Sequence, residues 1–497
     1  MRTRILFIIS FVLCAQAGVL FMSSASVVNA KNAGVPAECE DVMLQAFYWD
    51  SYKTGSKYGR TKWVDLIKDT AAINANFNLV WFPPSAYGDG GNGKGGVGYT
   101  VKQYSNQDSD WGTKQNLAQL INALHTGNTK VLADVVINHR GNKDSWCSFH
   151  TDNFGSYGSW TLTSAHICKD DEVNSSSSAG SCKGAATGAN DTGTGFAARD
   201  LDHTSEYVQN WAKAYTQWLL NVINYDGFRY DMTLGYGGQY LKMYNEASHP
   251  YFSVSECWEG IDRIVSHLES TDYSTLEFDF PLKYDLRTAI VGGQYVKLRK
   301  NNRNTMRGRG LERYAVTFID NHDTFERQEE DACSQEFPSC NADLSSAVTK
   351  NRILQANAYI LLMPGVPCVF YPHWKSYTNE INELIAIRKL AGIHSESPVT
   401  DETANMNKYS GTIEGRRGNV VLRLGRSRDK SVPEGYTLAL EGGDVADYTI
   451  FISNELQGVE NIHSGSAAKG EKFLKDGKLL IKVGEKTYDV MGKEIKE

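Results

Sequence analysis

Short apolar runs alternate with longer amphipathic stretches along most of the chain. The runs are rich in Val, Ile, Leu and Phe, as expected of buried strands, and the stretches between them repeat apolar residues at helical spacing. Strands are predicted over residues 42–49, 78–82, 130–137, 227–230, 251–255, 275–278, 314–319 and 366–370, and helices over residues 62–75, 114–124, 206–223 and 344–361. Eight alternations in about 350 residues favour an α/β fold of the closed (β/α)₈ TIM-barrel type over an open doubly wound sheet.

The alternation breaks once inside this region, between His139 and Asp202. This segment is rich in Gly, Ser, Asn and Asp and contains no long apolar run. Structureless loops of that size are uncommon inside compact domains and usually form a functional or separate subdomain. The pattern therefore predicts an irregular excursion that leaves the barrel after strand three.

A different pattern follows residue 391, where apolar and polar residues alternate along short runs separated by turns. Such runs cover residues 419–425, 436–440, 448–453, 478–483 and 486–491. Period-two alternation predicts an antiparallel β domain with one buried face. We assign it a packing role, because it holds no constellation of Asp, Glu and His. The predicted organisation is a barrel in two parts (residues 31–138 and 203–393), an excursion between them (residues 139–202) and a C-terminal domain (residues 394–497).

The N-terminal residues 1–30 have the three parts of a secretory signal peptide. Two arginines in the first four residues precede an apolar stretch over residues 5–22, and small residues follow up to Ala30. An uncleaved membrane anchor is the alternative, since the apolar stretch is near spanning length. Gln16 and Gly18 interrupt it and favour cleavage. We therefore expect a secreted protein, extracellular or periplasmic, with no membrane contact after signal cleavage.

Composition narrows the list of partners. With 497 residues and a formal net charge of −7, the chain has the size of two or three domains and lacks the positive charge typical of proteins that bind nucleic acid or anionic membranes. Its 10 Trp and 26 Tyr are plentiful, and aromatic rings suit the faces of sugars as well as protein cores. We expect no nucleic-acid partner and a monomer in solution.

The cysteine count fits an exported protein. Cys14 lies in the predicted signal peptide, and eight of the nine cysteines remain in the mature chain, an even number that indicates disulfide bonds. Cys333 and Cys340 flank a short polar loop and form the best single pair. Cys257 and Cys368 lie in apolar, strand-like contexts, where a buried thiol is expected. Three further cysteines share one loop-rich region: Cys147, Cys168 and Cys182.

Four segments place acidic or histidine side chains at the end of an apolar, strand-like run. They read ADVVINH, GFRYDM, FSVSECW and FIDNHD and begin at residues 133, 227, 252 and 318. A TIM barrel carries its chemistry at the C-terminal ends of its strands, so the carboxylates of Asp231, Glu256 and Asp323 are predicted to meet there. A lone Asp after a strand is often only a helix N-cap. Three carboxylates on three strands, however, suit the cleavage of a bond between two sugars.

Each of the three carboxylates has a distinct local environment. A retaining glycosidase needs two carboxyl groups about 5–5.5 Å apart, one ionised to attack the anomeric carbon and one protonated to assist the leaving oxygen. Arg229 points the same way along its strand as Asp231 and can keep it ionised. Glu256 stands close to Trp258, where partial desolvation would raise its pKa. Asp323 is placed to bond sugar hydroxyls.

With these motifs, the chain resembles the α-amylase family of glycoside hydrolases, from about residue 42 through the C-terminal domain. The most specific matches are DVVINH, GFRYD, SECW and FIDNHD, and the block VGYTVKQY at residues 97–104 is similar as well. The resemblance implies that Asp231 is the nucleophile, Glu256 the general acid and base, and Asp323 the transition-state stabiliser. The family also has an excursion after strand three and a C-terminal β-sandwich, at the places predicted from composition.

The same resemblance assigns substrate-binding residues. Arg229, His139 and His322 match the donors around the cleaved glucose, and Tyr99 matches a stacking platform. Trp258 matches the border of the leaving-group side. One position departs from the pattern: starch-cleaving members often carry Lys three residues after the nucleophile, where this chain has Leu234. The departure leaves the three carboxylates intact but removes a contact that the family's lysine can make with the glucan beyond the cleavage point.

The resemblance further implies a structural Ca²⁺ between barrel and excursion. Asn138 matches one ligand position, Asp200 another and the carbonyl of Gly235 a third. Oxygen ligands from distant segments are what Ca²⁺ prefers, and the ion would clamp the excursion. In the alternative interpretation Asn138 caps a turn and Asp200 pairs with Arg199.

The sequence as a whole predicts an exported, endo-acting hydrolase of α-1,4-glucosidic bonds in starch, glycogen and related glucans. A relative that transfers the glycosyl unit to another sugar is one alternative, because the first half-reaction is the same. A catalytically dead glucan-binding subunit is another. Loss of a carboxylate would favour it, and this chain keeps all three.

Overall fold

The structure is a computed structural model that describes residues 34–88, 96–190, 198–325, 343–425, 429–442 and 447–456, and four short strands between residues 471 and 495. The predicted signal peptide and the predicted Cys333–Cys340 pair lie outside the described residues. Cys257 and Cys368 are buried free thiols, as predicted.

Eight parallel strands close into a barrel, which confirms the predicted fold class. Each is short and wholly or almost wholly buried, because the core fills its inner face and helices cover its outer face. The first strand pairs with the second and the eighth, so that Met43 lies opposite both Leu79 and Cys368. The strands are β1 (Met43–Gln45), β2 (Leu79–Trp81), β3 (Lys130–Val135), β4 (Gly227–Tyr230), β5 (Phe252–Ser255), β6 (Leu276–Phe278), β7 (Ala315–Phe318) and β8 (Val366–Phe370).

Helices surround the barrel. The helices are α1 (Trp63–Leu66), α2 (Thr70–Asn76), α3 (Lys114–Thr126), α4 (Glu206–Trp218), α5 (Gly238–Ser248), α6 (Ile261–Ser270), α7 (Phe280–Ile290), α8 (Ala347–Leu362), α9 (Tyr371–Ser376) and α10 (Thr378–Ala391). Three of those described begin at a side-chain cap: α3, α7 and α8. The Thr113 hydroxyl accepts from the Asn116 N–H at the start of one helix, and the Asp279 carboxylate accepts from the Leu282 N–H at another. No helix in the described ranges has the length and apolar character needed to cross a bilayer.

The predicted helix over residues 206–223 changes character near its end. Regular α-helix stops at Trp218, and Leu219–Ile223 continues as a π-helical turn. Asn224 then adopts the left-handed conformation, with φ of 75°, which ends the helix. The chain can therefore turn directly into β4.

The excursion leaves the barrel after β3 and returns before α4. His139–Arg140 pairs with Arg199–Asp200 in an antiparallel ladder that closes its base. A disulfide joins Cys147 to Cys182 and so selects one pair from the three cysteines of this region.

The C-terminal region contains two antiparallel sheets. The first has the order β9-β10-β11-β13-β12, where the strands are β9 (Val399–Ala404), β10 (Tyr409–Glu414), β11 (Asn419–Leu424), β12 (Tyr436–Glu441) and β13 (Tyr448–Ser453). The second contains β14 (Glu471–Lys475), β15 (Lys478–Val483), β16 (Lys486–Asp489) and β17 (Glu494–Ile495).

Four of these strands were not predicted from the sequence: β9, β10, β14 and β17. Strand β9 is an edge strand whose polar side chains are mostly exposed, and it gains its hydrogen bonds only by pairing with β10. Strand β10 has one buried face but carries Gly411 in its middle, which weakens the local signal. Pairing between strands, which is absent from local sequence, fixes both elements.

Candidate active site

A cleft of about 360 Å³ opens at the C-terminal ends of the barrel strands. It is lined by the three predicted catalytic carboxylates, Asp231, Glu256 and Asp323. Four of the five predicted substrate-binding residues line it as well: Tyr99, His139, Trp258 and His322. The fifth, Arg229, lies in the cleft floor, where its side chain is 1 % exposed and contacts two of the carboxylates.

Arg229 joins three carboxylates that come from three neighbouring strands. Its Nη1 lies 2.7 Å from Asp231 Oδ1 and 2.8 Å from Asp134 Oδ1, and its Nη2 lies 2.8 Å from Glu256 Oε1. Glu256 also accepts a hydrogen bond of 3.0 Å from the N–H of Met232. Charge-assisted contacts of this kind fix orientation as well as charge, so one guanidinium aims both predicted reacting groups.

Asp134 is a site residue that the sequence analysis did not single out. Its carboxylate accepts hydrogen bonds from the Tyr99 hydroxyl at 2.8 Å and from Trp81 Nε1 at 3.0 Å, in addition to Arg229. The available signal was an acidic residue inside the apolar run ADVV, since a buried charge needs a partner. Asp134 therefore positions the arginine and the tyrosine of the cleft.

Burial sets the direction of the pKa shifts in this cluster. It raises the pKa of the Glu256 carboxyl, which the negative charge of Asp323 raises further, and the Arg229 guanidinium acts against the rise. For Asp231, Arg229 lowers the pKa as predicted from their spacing, but burial outweighs it and raises the pKa overall. Burial also raises the pKa of Asp134 to about 6. Because three buried carboxyls share one cation, protons are held in this cluster more tightly than in water.

Three rings form a stack along one side of the cleft. The rings of Trp49, Tyr99 and His322 are nearly parallel, with centroids 5.0 Å apart for Tyr99 and His322 and 6.0 Å apart for Trp49 and His322. Gln45 Nε2 contacts His322 Nδ1 at 3.0 Å, and His322 Nε2 lies 3.1 Å from Asp323 Oδ2. The stack gives the cleft a flat aromatic wall. The contact of His322 Nε2 joins this wall to Asp323, the next residue in the sequence. Trp49, which completes the stack, was not predicted.

The hydrogen bonds of His139 define its protonation. Its Nε2 lies 2.8 Å from the Tyr99 carbonyl, which can only accept, so Nε2 carries the proton. Its Nδ1 then accepts from the amide nitrogen of Asn138 at 3.2 Å. Burial lowers the pKa of His139 to about 4, which keeps the ring neutral at ordinary pH.

Trp258 also lines the cleft. Its side chain is 38 % exposed, and its ring stacks on Phe280 with centroids 4.9 Å apart. The indole Nε1 donates to the hydroxyl of Tyr284 at 3.1 Å, which fixes the ring plane. Leu234, the position that departs from the starch-cleaving pattern, also lines the cleft.

Two of the three predicted calcium ligands, Asn138 and Gly235, are in contact where the excursion joins the barrel. Asn138 Oδ1 is buried and has no hydrogen-bond partner among the described residues. A Cβ on Gly235 would lie only 1.7 Å from that oxygen, so the backbone of Gly235 lies directly against the amide of Asn138. The ladder at the base of the excursion places Asp200 beside this pair, since its backbone pairs with that of His139. A buried amide oxygen, a close backbone and a buried carboxylate form a set of oxygen donors suited to Ca²⁺.

Two sets of polar contacts lie next to the predicted calcium ligands. Arg199 makes ion pairs with Asp171, at 3.3 Å, and with Glu172. The Asp200 carboxylate, Cys168 Sγ and the Asp170 carboxylate lie within 4.8 Å of one another. Asp200 therefore belongs to an acidic group at the excursion base.

Comparison with known proteins identifies relatives of this chain. The family described as "Alpha amylase, catalytic domain" matches residues 79–249. "Probable alpha-amylase 2" of Arabidopsis thaliana is 30% identical over 424 residues, covering 81% of this chain and 92% of the relative. "Alpha-amylase 3, chloroplastic" of the same plant is 28% identical over 429 residues, and this chain spans 43% of its length. The solved structure of an α-amylase from Malbranchea cinnamomea has a TM-score of 0.59 at 19% identity, covers 84% of this chain and 97% of its own, and supports the fold.

Proposed function

This chain belongs to the α-amylase family of glycoside hydrolases, and we propose that it is a retaining, endo-acting α-amylase that hydrolyses α-1,4-glucosidic bonds in starch, glycogen and related glucans. The observation that carries this proposal is the contact of one buried guanidinium, that of Arg229, with both Asp231 and Glu256 in the floor of the cleft. Retaining hydrolysis requires two carboxyl groups held at a short fixed separation across the scissile bond.

In the first half-reaction, an oxygen of Asp231 attacks the anomeric carbon while the bond from that carbon to the leaving oxygen breaks. Glu256 gives its proton to the leaving oxygen, and a covalent glycosyl ester on Asp231 results. In the second half-reaction, the Glu256 carboxylate takes a proton from water, and the water oxygen attacks the same carbon and releases Asp231. One water is consumed for each bond cleaved, and the raised pKa of Glu256 suits it to donate a proton near neutral pH.

The remaining cleft residues bind the glucan. Asp323 and His322 bond the hydroxyls of the sugar at the cleavage point, and neutral His139 lines the cleft beside them, with its ring held by Tyr99 and Asn138. Tyr99 offers a ring face to the same sugar, held in place by its hydrogen bond to Asp134. Trp258 packs against the sugar on the leaving-group side, the position that it matches in the family, with a partly exposed ring that lines the cleft.

A structural Ca²⁺ at Asn138, Asp200 and the Gly235 carbonyl fits the donors described above. When bound, the ion supplies positive charge that links barrel and excursion, and it takes no part in bond cleavage. Asn138 precedes His139, so the same ligand set also holds a substrate-binding side chain in place.

Export and organisation follow from the sequence pattern. A cleaved signal peptide at residues 1–30 would deliver the protein to an oxidising compartment, which the Cys147–Cys182 disulfide supports. We assign residues 31–138 and 203–393 to the barrel, 139–202 to the excursion and 394–497 to a C-terminal β-sandwich, in a monomeric enzyme.

Transfer of the glycosyl unit to another sugar is the alternative reaction for the same cleft. The two reactions share the glycosyl ester and differ only in the acceptor, so sizing the products of maltooligosaccharides separates them. Products longer than the substrate would indicate transfer. A glucan-binding subunit without activity is disfavoured, because Asp231, Glu256 and Asp323 all line the cleft.

Asp231→Asn and Glu256→Gln test the proposed roles. Each should lower starch hydrolysis at least about a thousandfold, since each removes a group that reacts with substrate, while the circular dichroism spectrum and melting temperature persist. The control is Glu259→Gln, the same change at an exposed residue nearby, which should keep wild-type activity. Activity within about tenfold of wild type for either active-site variant would contradict the assignment. NMR of the first products should show the α anomer, and initial β anomer would indicate inversion.

A further inference from the structure

A second concave surface, which shares no lining residue with the catalytic cleft, lies between the excursion and helix α4. Its volume is about 480 Å³, within the range of roughly 300–1,000 Å³ that is typical of ligand sites. On one side stands a hairpin in which Asp152–Asn153 pairs with Ser159–Trp160. This hairpin contributes Tyr157 and Trp160 to the surface, which we call the hairpin groove.

One face of α4 forms the other side of the hairpin groove. Asn210, Lys213, Ala214 and Gln217 line it, and their spacing of three and four residues places them on a single helix face. From the first to the last of these residues the helix rises about 10 Å, enough for a short oligosaccharide segment. Ala214 is buried and small, so it leaves the floor of the groove low.

The two walls are fixed to each other by packing beneath the groove. Phe154 of the hairpin is fully buried, with its ring centroid 5.6 Å from that of Tyr215 and 5.3 Å from that of Trp218, both on α4. Trp211 Nε1 donates to Asp152 Oδ2 at 3.2 Å. The width of the groove is therefore set by the protein itself, which lowers the entropy cost of binding.

The side chains of the groove offer an aromatic surface beside polar groups. The half-buried ring of Trp160 is held by a hydrogen bond of 3.0 Å from its Nε1 to the Tyr157 carbonyl and by an edge contact with Tyr207. The side chains of Asn210 and Lys213 make no hydrogen bond or ion pair with the part of the chain that the structure describes. Gln217 donates its amide N–H to the Ala247 carbonyl, which leaves its own oxygen to accept.

We propose that the hairpin groove is a second, non-catalytic binding site for a segment of α-glucan. Aromatic rings pack against the apolar faces of sugars, and amide and ammonium groups bond their hydroxyls. Among the described residues, Lys213 is the one charged side chain that lines the groove, which disfavours a polyanionic occupant. The proposal rests on the proposed function, because a polymeric substrate can occupy the cleft and the groove of one molecule together. A second hold on the polymer raises its effective concentration at the cleft.

Adsorption to starch granules and hydrolysis of a short substrate, measured side by side, test this site. Trp160→Ala removes the aromatic face, and Ala214→Phe fills the floor. The control for added bulk is Val348→Phe, since Val348 is 60% exposed on α8. Both groove variants should weaken granule adsorption by about a hundredfold, the lower end of the loss expected when one of two linked contacts disappears. Their kcat/KM on a chromogenic maltotrioside should equal that of wild type, and their melting temperatures should confirm that they are folded.

Calorimetric titration with maltoheptaose in the Glu256→Gln background supplies the second readout. Two classes of site are expected, and Trp160→Ala should remove one of them. Unchanged adsorption by both folded groove variants, or a single class of site, would overturn the proposal. Binding of inorganic phosphate that Lys213→Gln abolishes, without binding of maltoheptaose in the groove, would overturn it in favour of an anion site. Failure of the proposed function would differ from all of these outcomes, because wild type would then cleave no α-glucan.

Discussion

Arg229 connects the strands of the site at the scale of single residues. It is fully buried and contacts Asp134 on β3, Asp231 after β4 and Glu256 after β5. The guanidinium also lies over two aromatic rings. The ring centroids of Trp81 and Tyr99 are 5.0 Å and 5.6 Å from the guanidinium carbon. A planar, permanently charged group with five donors can hold this arrangement, whereas a lysine could not reach the same oxygens.

Leu234 is the residue at which binding of the leaving glucan chain can be tested. Its side chain lines the cleft and packs beside the small cluster around Cys257 and Ile264, so it offers only apolar contact to the leaving chain. Leu234→Lys adds donors for glucose hydroxyls and should shift the cut-site distribution on maltoheptaose by about threefold or more between competing sites. The control is Leu234→Met, which keeps the site apolar. Identical product ratios for wild type and Leu234→Lys would mean that position 234 does not face the leaving chain.

The excursion is held by a disulfide and a short ladder in addition to its apolar packing. A disulfide closes a 35-residue separation within it, and a two-residue ladder closes its base. In the chain-entropy description, a crosslink of this span stabilises the fold by about 3–4 kcal/mol. A metal at the base would act on the same element, since it draws together the excursion and the barrel.

Chelation tests the calcium site at the base of the excursion. A ligand bound only by the folded state stabilises it by about 2.7 kcal/mol at a hundred times its Kd, so excess chelator should lower the melting temperature by several degrees and added Ca²⁺ should restore it. Asn138→Leu removes a ligand at similar volume and should make the melting temperature insensitive to chelator. An unchanged melt of wild type in excess chelator, with no metal found by elemental analysis, would contradict the site.

At the scale of the whole molecule, polar side-chain contacts between the barrel and the first C-terminal sheet hold the two together. Arg307 Nη1 lies 2.7 Å from Glu402 Oε1, which also accepts from the Tyr409 hydroxyl at 2.8 Å. Asn351 of α8 exchanges two hydrogen bonds with Asp447. None of these residues lines the cleft, so stability and activity can be separated here.

Glu402→Gln should destabilise the protein and leave catalysis intact. The change leaves the buried Arg307 without its counter-ion, a loss of about 2–4 kcal/mol for a largely buried pair. The melting temperature should therefore fall by several degrees, while kcat/KM on maltoheptaose should match wild type. Glu434→Gln, at an exposed position of the same domain, controls for the change in charge. A melting temperature equal to that of the control would refute a linking role for Arg307.

Acid stability should depend on the buried His203. Its Nε2 donates to the Ile137 carbonyl at 2.8 Å, and its Nδ1 accepts from the Tyr244 hydroxyl at 2.6 Å, so the ring is neutral. Burial lowers its pKa to about 4, below the value of about 6.5 in an unfolded chain. The unfolded state therefore gains the proton first, and the stabilisation present above pH 6.5 is lost as the pH falls towards 4.

The prediction is a difference between two pH profiles. Between pH 7 and pH 5, wild type should lose about 2 kcal/mol more stability than His203→Gln, measured by denaturant unfolding at saturating Ca²⁺. His249→Gln, at an exposed position, should follow the wild-type profile. Parallel profiles for wild type and His203→Gln would show that His203 is not held neutral by the fold.

The barrel, the excursion and the strand-end carboxylates were determined by the sequence itself. Hydrophobic periodicity is a local property, and the ends of parallel strands meet whatever their loops do, so Asp231, Glu256 and Asp323 could be placed together without coordinates. Tertiary structure alone decided what surrounds them. Three features depend on which side chains face each other across the barrel. They are the burial that raises the pKa of Asp231, the presence of a third carboxylate at Asp134, and the position of the Trp49 ring. The same holds for edge strand β9 and for the choice of Cys182 as the partner of Cys147, because pairing between distant segments is set by the folded chain and leaves no local signal.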